Sequence, residues 1–251
     1  MDEKRFKYCR EMFESGASKN LDFFVGQRYE FIGKHVTQEQ KGVEFGAGAG
    51  LSEIYLKDYN LTITDICNSE WLDIKNVDAQ KSDFKDNSFD YIIANNVIHH
   101  LDRPAQFFTE SDRILKSGGK IVIIEPYSSF LMRKLLNVRK HEQVNYSVNP
   151  LDDDYSFSKI STSELDGNNA VAKMLFDKPT IFFDKFKNFE LEHKSYGELF
   201  LFINSGGQYE KFPFIPLPLF LLRFVNIIDR IIVRLMPRVF ALGIYIVIRK
   251  K

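Results

Sequence analysis

The apolar positions of this chain change their period along its length, and the changes divide it. Over residues 1–40 they recur at helical spacing, which predicts helices at 4–13 and 21–35 with Gly16 between them. From Lys41 short continuous apolar runs alternate with helical stretches. Strands are predicted at 43–45, 61–64, 90–94 and 120–125, and helices at 51–58 and 104–116, the second stopped by Gly118-Gly119. Continuous apolar strands linked by helices imply an α/β fold, a mostly parallel sheet with helices on both faces. Beyond Pro126 the period fades. Residues 127–180 are polar and mixed, with an acidic cluster at Asp152-Asp153-Asp154. A strand with a helical lead-in fits 189–203, ended by Ser205-Gly206-Gly207. An amphipathic helix fits 217–236, and a last strand 240–249. No internal repeat or low-complexity linker interrupts the chain, so one continuous domain is expected.

Composition narrows the classes. The chain has 251 residues, 44% hydrophobic and 27% charged, enough to build a full core and too apolar for wholesale disorder. Its 34 Lys+Arg balance 34 Asp+Glu, which speaks against a uniformly basic nucleic-acid binder. That balance is uneven along the chain. From Lys211 onward there are eight cations against the single anion Asp229, a net +7; residues 1–210 carry 26 cations and 33 anions, a net −7. Such asymmetry hints at an anionic surface partner. Two cysteines, Cys9 and Cys67, suit a reducing compartment. The charged start lacks the apolar segment of a signal peptide, and no apolar run approaches the ~18 residues of a spanning helix. A cytoplasmic protein is expected.

The densest chemistry follows the first strand, in Glu44-Phe45-Gly46-Ala47-Gly48-Ala49-Gly50. Glycines there let the backbone turn tightly and a ligand approach the main chain. A dinucleotide fingerprint would place its third glycine at position 51, which is Leu51. Glu44 would repel a diphosphate and suits a cationic ligand group instead. Asp65 ends the second predicted strand, where an acid accepts ribose hydroxyls. Asp78-Ala79 follows at a place for reading an adenine amine, with a capping Asp as the plain alternative.

Taken in order, these segments resemble the core of class I S-adenosylmethionine-dependent methyltransferases, of the type 11-like kind. Glu44-x-Gly46-x-Gly48-x-Gly50 is similar to their first motif, and Asp65 to their ribose acid, with Ile66 beside it. Asp78-Ala79 is similar to the adenine-side pair. Asp86–Asp90 followed by Ile98-His99-His100-Leu101 resembles the fourth strand and its loop, and Arg113–Gly119 the turn before the fifth. Asp78-Ala79-Gln80, Phe107-Phe108-x-Glu110, Glu125-Pro126, His141-Glu142 and Ser205-Gly206-Gly207 are similar to a largely uncharacterised bacterial group, some of it tied to surface-glycan synthesis. The resemblance implies a seven-stranded Rossmann-like sheet with an antiparallel last strand. It also implies S-adenosylmethionine as cofactor, held by Glu44, Gly46, Ala47, Gly48, Gly50, Asp65, Ile66, Asp78, Ala79, Asn95 and Asn96. Only 13 residues separate Asp65 from Asp78, so the usual intervening helix must be truncated, and Ser117 replaces the usual proline. No metal is expected.

A sulfonium methyl is already activated, so such a site mainly positions an acceptor and excludes water. A hydroxyl acceptor gains from a base, and His99, His100 and His141 are the candidates. The other reading has one of His99 and His100 capping the turn, the second packing, and His141 in a solvated loop. Trp71 flanks the adenine or sits in the core. By regions, 1–40 is expected as a helical lid, 41–127 as the cofactor core, and 128–251 as the acceptor-side cover. The expected activity is O-methylation of a small-molecule, glycan or lipid-linked acceptor, with no nucleic acid as partner. A nicotinamide-dependent oxidoreductase and a non-catalytic cofactor-binding or membrane-docking protein are the rival readings. In 217–236, Arg223, Asn226, Arg230 and Arg234 form a narrow polar stripe beside a wide apolar face. The helix either packs on the sheet with its arginines in water or gives 212–238 a peripheral membrane contact.

Overall fold

The apolar runs become adjacent strands of one sheet. A computed structural model describes residues 3–139, 143–152, 155–156, 167–209 and 211–251. Strands β1 (Gly42–Phe45), β2 (Leu61–Ile63), β3 (Phe89–Asn95), β4 (Leu115–Pro126), β5 (Phe189–Gly197) and β6 (Gly243–Lys250) lie in the order β2-β1-β3-β4-β6-β5. β1 pairs in parallel with β2 and β3, and β3 with β4, while β6 runs antiparallel between β4 and β5. The order turns outward on either side of β1 and β3, so the carboxyl ends of those two strands open a crevice where open α/β sheets bind ligands.

Both sheet faces are covered, and strand alternation sorts the core. Ile92, Ala94, Ile121 and Ile123 pack on one side with Phe107, Phe108, Phe176 and Phe182. Tyr91, Ile93, Val122 and Ile124 face the other side, with Phe24, Tyr29, Ile32 and Leu222. The first layer comes from α4 (Pro104–Ile114), α6 (Val171–Phe176) and α7 (Pro179–Lys185), the last two short helices held by a cluster of Phe rings. The second comes from α2 (Lys19–Gly33), with α1 (Glu3–Glu14), and α9 (Leu219–Leu235). Ser18 caps α2, accepting the Leu21 N–H at 3.2 Å.

The structure departs from the sequence reading at five places. The sheet has six strands among the described residues, not seven; only a bridge between Thr64 and Ile74 stands where a further edge strand was expected. The same short span carries no helix, as the 13-residue spacing required. The helix expected at 51–58 is a single turn, α3 (Ser52–Tyr55). Gly118-Gly119 does not stop α4, which ends at Ile114; the glycines form an irregularity within β4, whose register shifts between its pairings with Phe89 and Tyr91. The unreadable stretch contains α5 (Phe130–Arg139) besides α6 and α7. In 189–203 the strand comes first and a short helix, α8 (Phe200–Ile203), follows it. After α9, the turn α10 (Pro237–Phe240) packs against both α9 and α5 and leads into β6.

Candidate active site

β1 delivers Glu44 to the crevice, and the loop behind it is shaped by its glycines. Gly46 and Gly48 adopt φ of +68° and +54°. A Cβ on Gly46 would lie 2.5 Å from Val97 Cγ2, and one on Gly48 2.8 Å from Phe6 Cε1. Only glycine fits either position. The loop is fastened to β2 from below: the Asp65 carboxylate accepts the Gly48 N–H at 2.8 Å and the Cys67 N–H at 3.0 Å, and the Thr64 carbonyl accepts the Ala47 N–H. An amide that would cradle a diphosphate is thus already given to the protein's own carboxylate, which argues against a nicotinamide dinucleotide here.

The resulting cleft is lined by Glu44, Gly46 and Ala47, by Asn95 and Asn96 from the end of β3, and by Arg28 and Tyr29 of α2. Three of its polar atoms, Glu44 Oε2, Asn95 Oδ1 and Asn96 Oδ1, are buried without a hydrogen-bond partner. Glu44 is only 2% exposed. Burial pushes its carboxyl up to about 7; nearby Ser52 acts in the opposite direction, and the Asp65 charge adds to the rise. Also lining the cleft, Arg28 has its guanidinium buried and forked onto Glu198 at 2.7 and 2.8 Å, with the Tyr245 hydroxyl donating to the same carboxylate at 2.8 Å. A buried acid with one unpartnered oxygen and a buried guanidinium line one cleft, an arrangement matched to a ligand carrying both an ammonium and a carboxylate.

Sequence reasoning missed Arg28, Tyr29, Gln208 and Tyr209, all on the cleft wall. Arg28 sits on a helix that reads as amphipathic cover, and its partner Glu198 is 170 positions away, so no local pattern marks it. Of the expected cofactor residues, the cleft brings together Glu44, Gly46, Ala47, Asn95 and Asn96, with Asp65 and Gly48 directly behind the loop. The Val77 N–H donates to the Asp65 carbonyl at 2.9 Å, which carries Asp78 to the end of β2 without a helix between them. One Asp78 oxygen is engaged by the Gln80 backbone and side chain. Ile66 is exposed, and Ala79 is in the core. Trp71 belongs to the packing of the N-terminal segment: its Cβ and carbonyl crowd Gly50, and the Arg10 guanidinium lies 5.7 Å from its ring. Arg10 also donates to the Gly50 carbonyl at 3.0 Å, so α1 is bonded directly to the glycine loop.

The histidines sit on a short 3₁₀ turn, Ile98–His100, just past β3. Glu125, at the end of β4, organises that turn. Its carboxylate accepts the N–H groups of Val97 and Ile98 at 2.8 and 2.6 Å and meets His99 Nδ1 at 2.5 Å. His99 is thereby buried, and its carbonyl accepts the Asn168 N–H at 2.8 Å. His100 is half-buried with its ring centroid 3.9 Å from that of His99. His141 lies outside the described residues. No cluster of metal-ligating side chains occurs among the described residues.

Comparison with known proteins agrees with this geometry. Residues 43–123 match the methyltransferase domain family. An uncharacterized protein of Methanocaldococcus jannaschii is 33% identical over 125 residues, 47% of this chain; the chain spans 58% of that relative's length. Among solved structures, an S-adenosylmethionine-dependent methyltransferase of Thermotoga maritima superposes with a TM-score of 0.54 at 19% identity, over 98% of this chain and 95% of that one. A second, from Archaeoglobus fulgidus, gives 0.50 at 14%, over 90% and 93%. At such identities the two structures establish the fold, and the domain match falls on the strands and loops that build the cleft. Residues 43–123 are thus similar to the methyltransferase domain family, and the chain has the fold of solved S-adenosylmethionine-dependent methyltransferases.

Proposed function

We propose that this chain transfers a methyl group to a hydroxyl oxygen of a small-molecule, glycan or lipid-linked acceptor, with the cofactor's amino-acid end between Glu44 and Arg28. The observation that carries the cofactor placement is the orphaned Glu44 Oε2 in a cleft that a buried guanidinium also lines. The amino-acid end of S-adenosylmethionine bears an ammonium and a carboxylate, which fit those two groups in sign and number. Asp65 stands at the strand end suited to the ribose, with Ile66 and Asp78 on the adenine side. Asn95 and Asn96 hold the middle of the ligand. The helices of 1–40 serve as its cover, since Phe6 closes over Gly48 and Arg10 over Gly50. Residues 41–127 bind the cofactor, and 128–251 form the acceptor side.

Bound there, S-adenosylmethionine supplies a methyl group already activated on sulfur. The chain's own part is to exclude water, align an acceptor, and take up its proton. The His99–His100 turn carries the last task. Glu125 fixes the orientation and tautomer of His99 at Nδ1, so proton uptake on that ring falls to Nε2. His141 joins this group as the third candidate.

Two measurements test the reading. Calorimetry with S-adenosylmethionine and its demethylated product is expected to show binding of both; no binding of either defeats the cofactor assignment. Methyl release over a panel of hydroxyl and amine acceptors then identifies the reacting atom. With a hydroxyl acceptor, His100→Ala and His99→Ala are expected to lower kcat by roughly 10²–10⁴-fold at unchanged cofactor affinity. Unaltered kcat in both variants removes the base role, and turnover of amines alone removes the O-methylation.

A further inference from the structure

Helix α9 presents its apolar surface outward. Leu222, Asp229 and Val233 form its buried face. Roughly half a turn around the helix, Phe220, Phe224, Ile227, Ile231 and Leu235 make one continuous stripe in solvent, with Phe220 69% and Leu235 75% exposed. Ile215 before the helix and Met236 after it extend the stripe. An exposed apolar face of this length marks an interaction surface.

Charge says which surface. Arg223, Arg230 and Arg234 run along one flank of the stripe, and Arg238 follows on α10. None of the four has a carboxylate within ion-pair distance among the described residues; Arg230 reaches only the Gln27 amide oxygen, at 3.1 Å. The single acid between Lys211 and Gly243 is Asp229. It is turned inward, accepting the N–H groups of Phe200 and Leu201 at 3.1 and 3.0 Å. A second copy of the chain docked through the same face would meet its apolar side chains but set the arginine flank of one helix against a helix whose single acid, Asp229, is turned inward. A leaflet with anionic headgroups offers both, with the side chains in the acyl boundary and the guanidinium groups at headgroup level. No helix among the described residues is long and apolar enough to cross a membrane, so the geometry is that of a helix lying in the surface.

We infer that α9 and the segment leading into it dock this protein onto an anionic lipid surface. The helix also touches the wall of the cleft. Asn226 donates to Gln27 of α2 at 2.6 Å, one residue from Arg28, and Asp229 anchors the start of α8 two residues past Glu198, the partner of Arg28. Docking would therefore set the cleft beside the leaflet, where a lipid-linked acceptor lies. The docking itself is independent of methyl transfer and is measured without cofactor.

The test is co-flotation of the full chain with vesicles of pure phosphatidylcholine and of equal parts phosphatidylcholine and phosphatidylglycerol. The expected result is binding to the anionic vesicles only, weakening as salt is raised. Phe224→Ser with Ile231→Ser should reduce it at least tenfold, and Arg223→Glu with Arg234→Glu should lower it by about five-fold or more per arginine. All four positions are exposed, so the thermal midpoints should stay near that of the unaltered chain. Equal binding to both vesicle types, or anionic binding indifferent to either pair of changes, overturns the inference. So does a dimer in light scattering that Phe224→Ser dissociates, which would give the face to a second copy.

Discussion

In the cleft, polar atoms are buried without partners; on α9, apolar side chains stand in water without cover. Glu44 Oε2, Asn95 Oδ1 and Asn96 Oδ1 each forgo a hydrogen bond in a setting where that loss is worth about 1–3 kcal/mol. Phe220, Phe224, Ile231 and Leu235 forgo burial that would stabilise the fold. The two departures differ in kind. On the readings proposed above, the first would be recovered by a small charged ligand and the second by an extended surface, and the contrast would separate a place for cofactor from a place for docking.

The largest expected effect would break the wall between the two regions. Arg28→Met leaves the Glu198 carboxylate buried without its guanidinium, and chemical denaturation should show a loss of about 3–5 kcal/mol. Glu44→Gln should act in the opposite direction on the ligand-free protein. The Glu44 carboxyl titrates near 7 in the fold against an ordinary 4.5, so the fold holds its proton longer than the unfolded chain does. Stability therefore falls as pH rises from about 4.5 to about 7 and levels above that. Removing the charge should raise stability at pH 8, by up to roughly 3 kcal/mol, while leaving it little changed at pH 4. A variant no more stable than the parent at pH 8 would show that Glu44 has a partner in solution. Asp65→Ala releases the Gly48 and Cys67 amides and removes the proposed ribose acceptor; calorimetry should record at least a tenfold loss of cofactor affinity. The smallest effect sharpens the other side: Phe224→Ser should move folding stability by no more than about 0.5 kcal/mol, since nothing of the fold rests on that ring.

The cofactor half was legible in the sequence because its structure is local. The buried strands β1, β3 and β4 are continuous apolar runs, and the glycine loop and Asp65 lie within 22 residues of one another, from Glu44 to Asp65. The amphipathic period of α9 was legible too, as a narrow polar stripe beside a wide apolar face; that the apolar side faces away from the sheet is seen only in the structure. What stayed hidden depends on contacts distant in sequence. Helices α6 and α7 are too short to carry a period and form around Phe108, Phe182 and Phe186. Arg28 became part of the site only through Glu198. Glu125 reads as the end of a buried strand, and its role in holding the His99 turn comes from its position across from β3. The seventh strand was expected by resemblance; the span between Asp65 and Asp78 instead forms only a bridge at Ile74.

The most direct test of the central claim is calorimetric titration of S-adenosylmethionine into the unaltered chain and into Glu44→Gln at pH 6 and pH 7.5. In the proposed placement ionised Glu44 is the form that would receive the ammonium, and its carboxyl is pushed up to about 7 in the fold. The affinity of the unaltered chain should therefore rise several-fold, by at most about tenfold, between the two values. The variant should bind more weakly at pH 7.5 and show no such rise. Equal affinities for the two proteins at pH 7.5, with the same dependence on pH, would contradict the placement of the cofactor in this cleft.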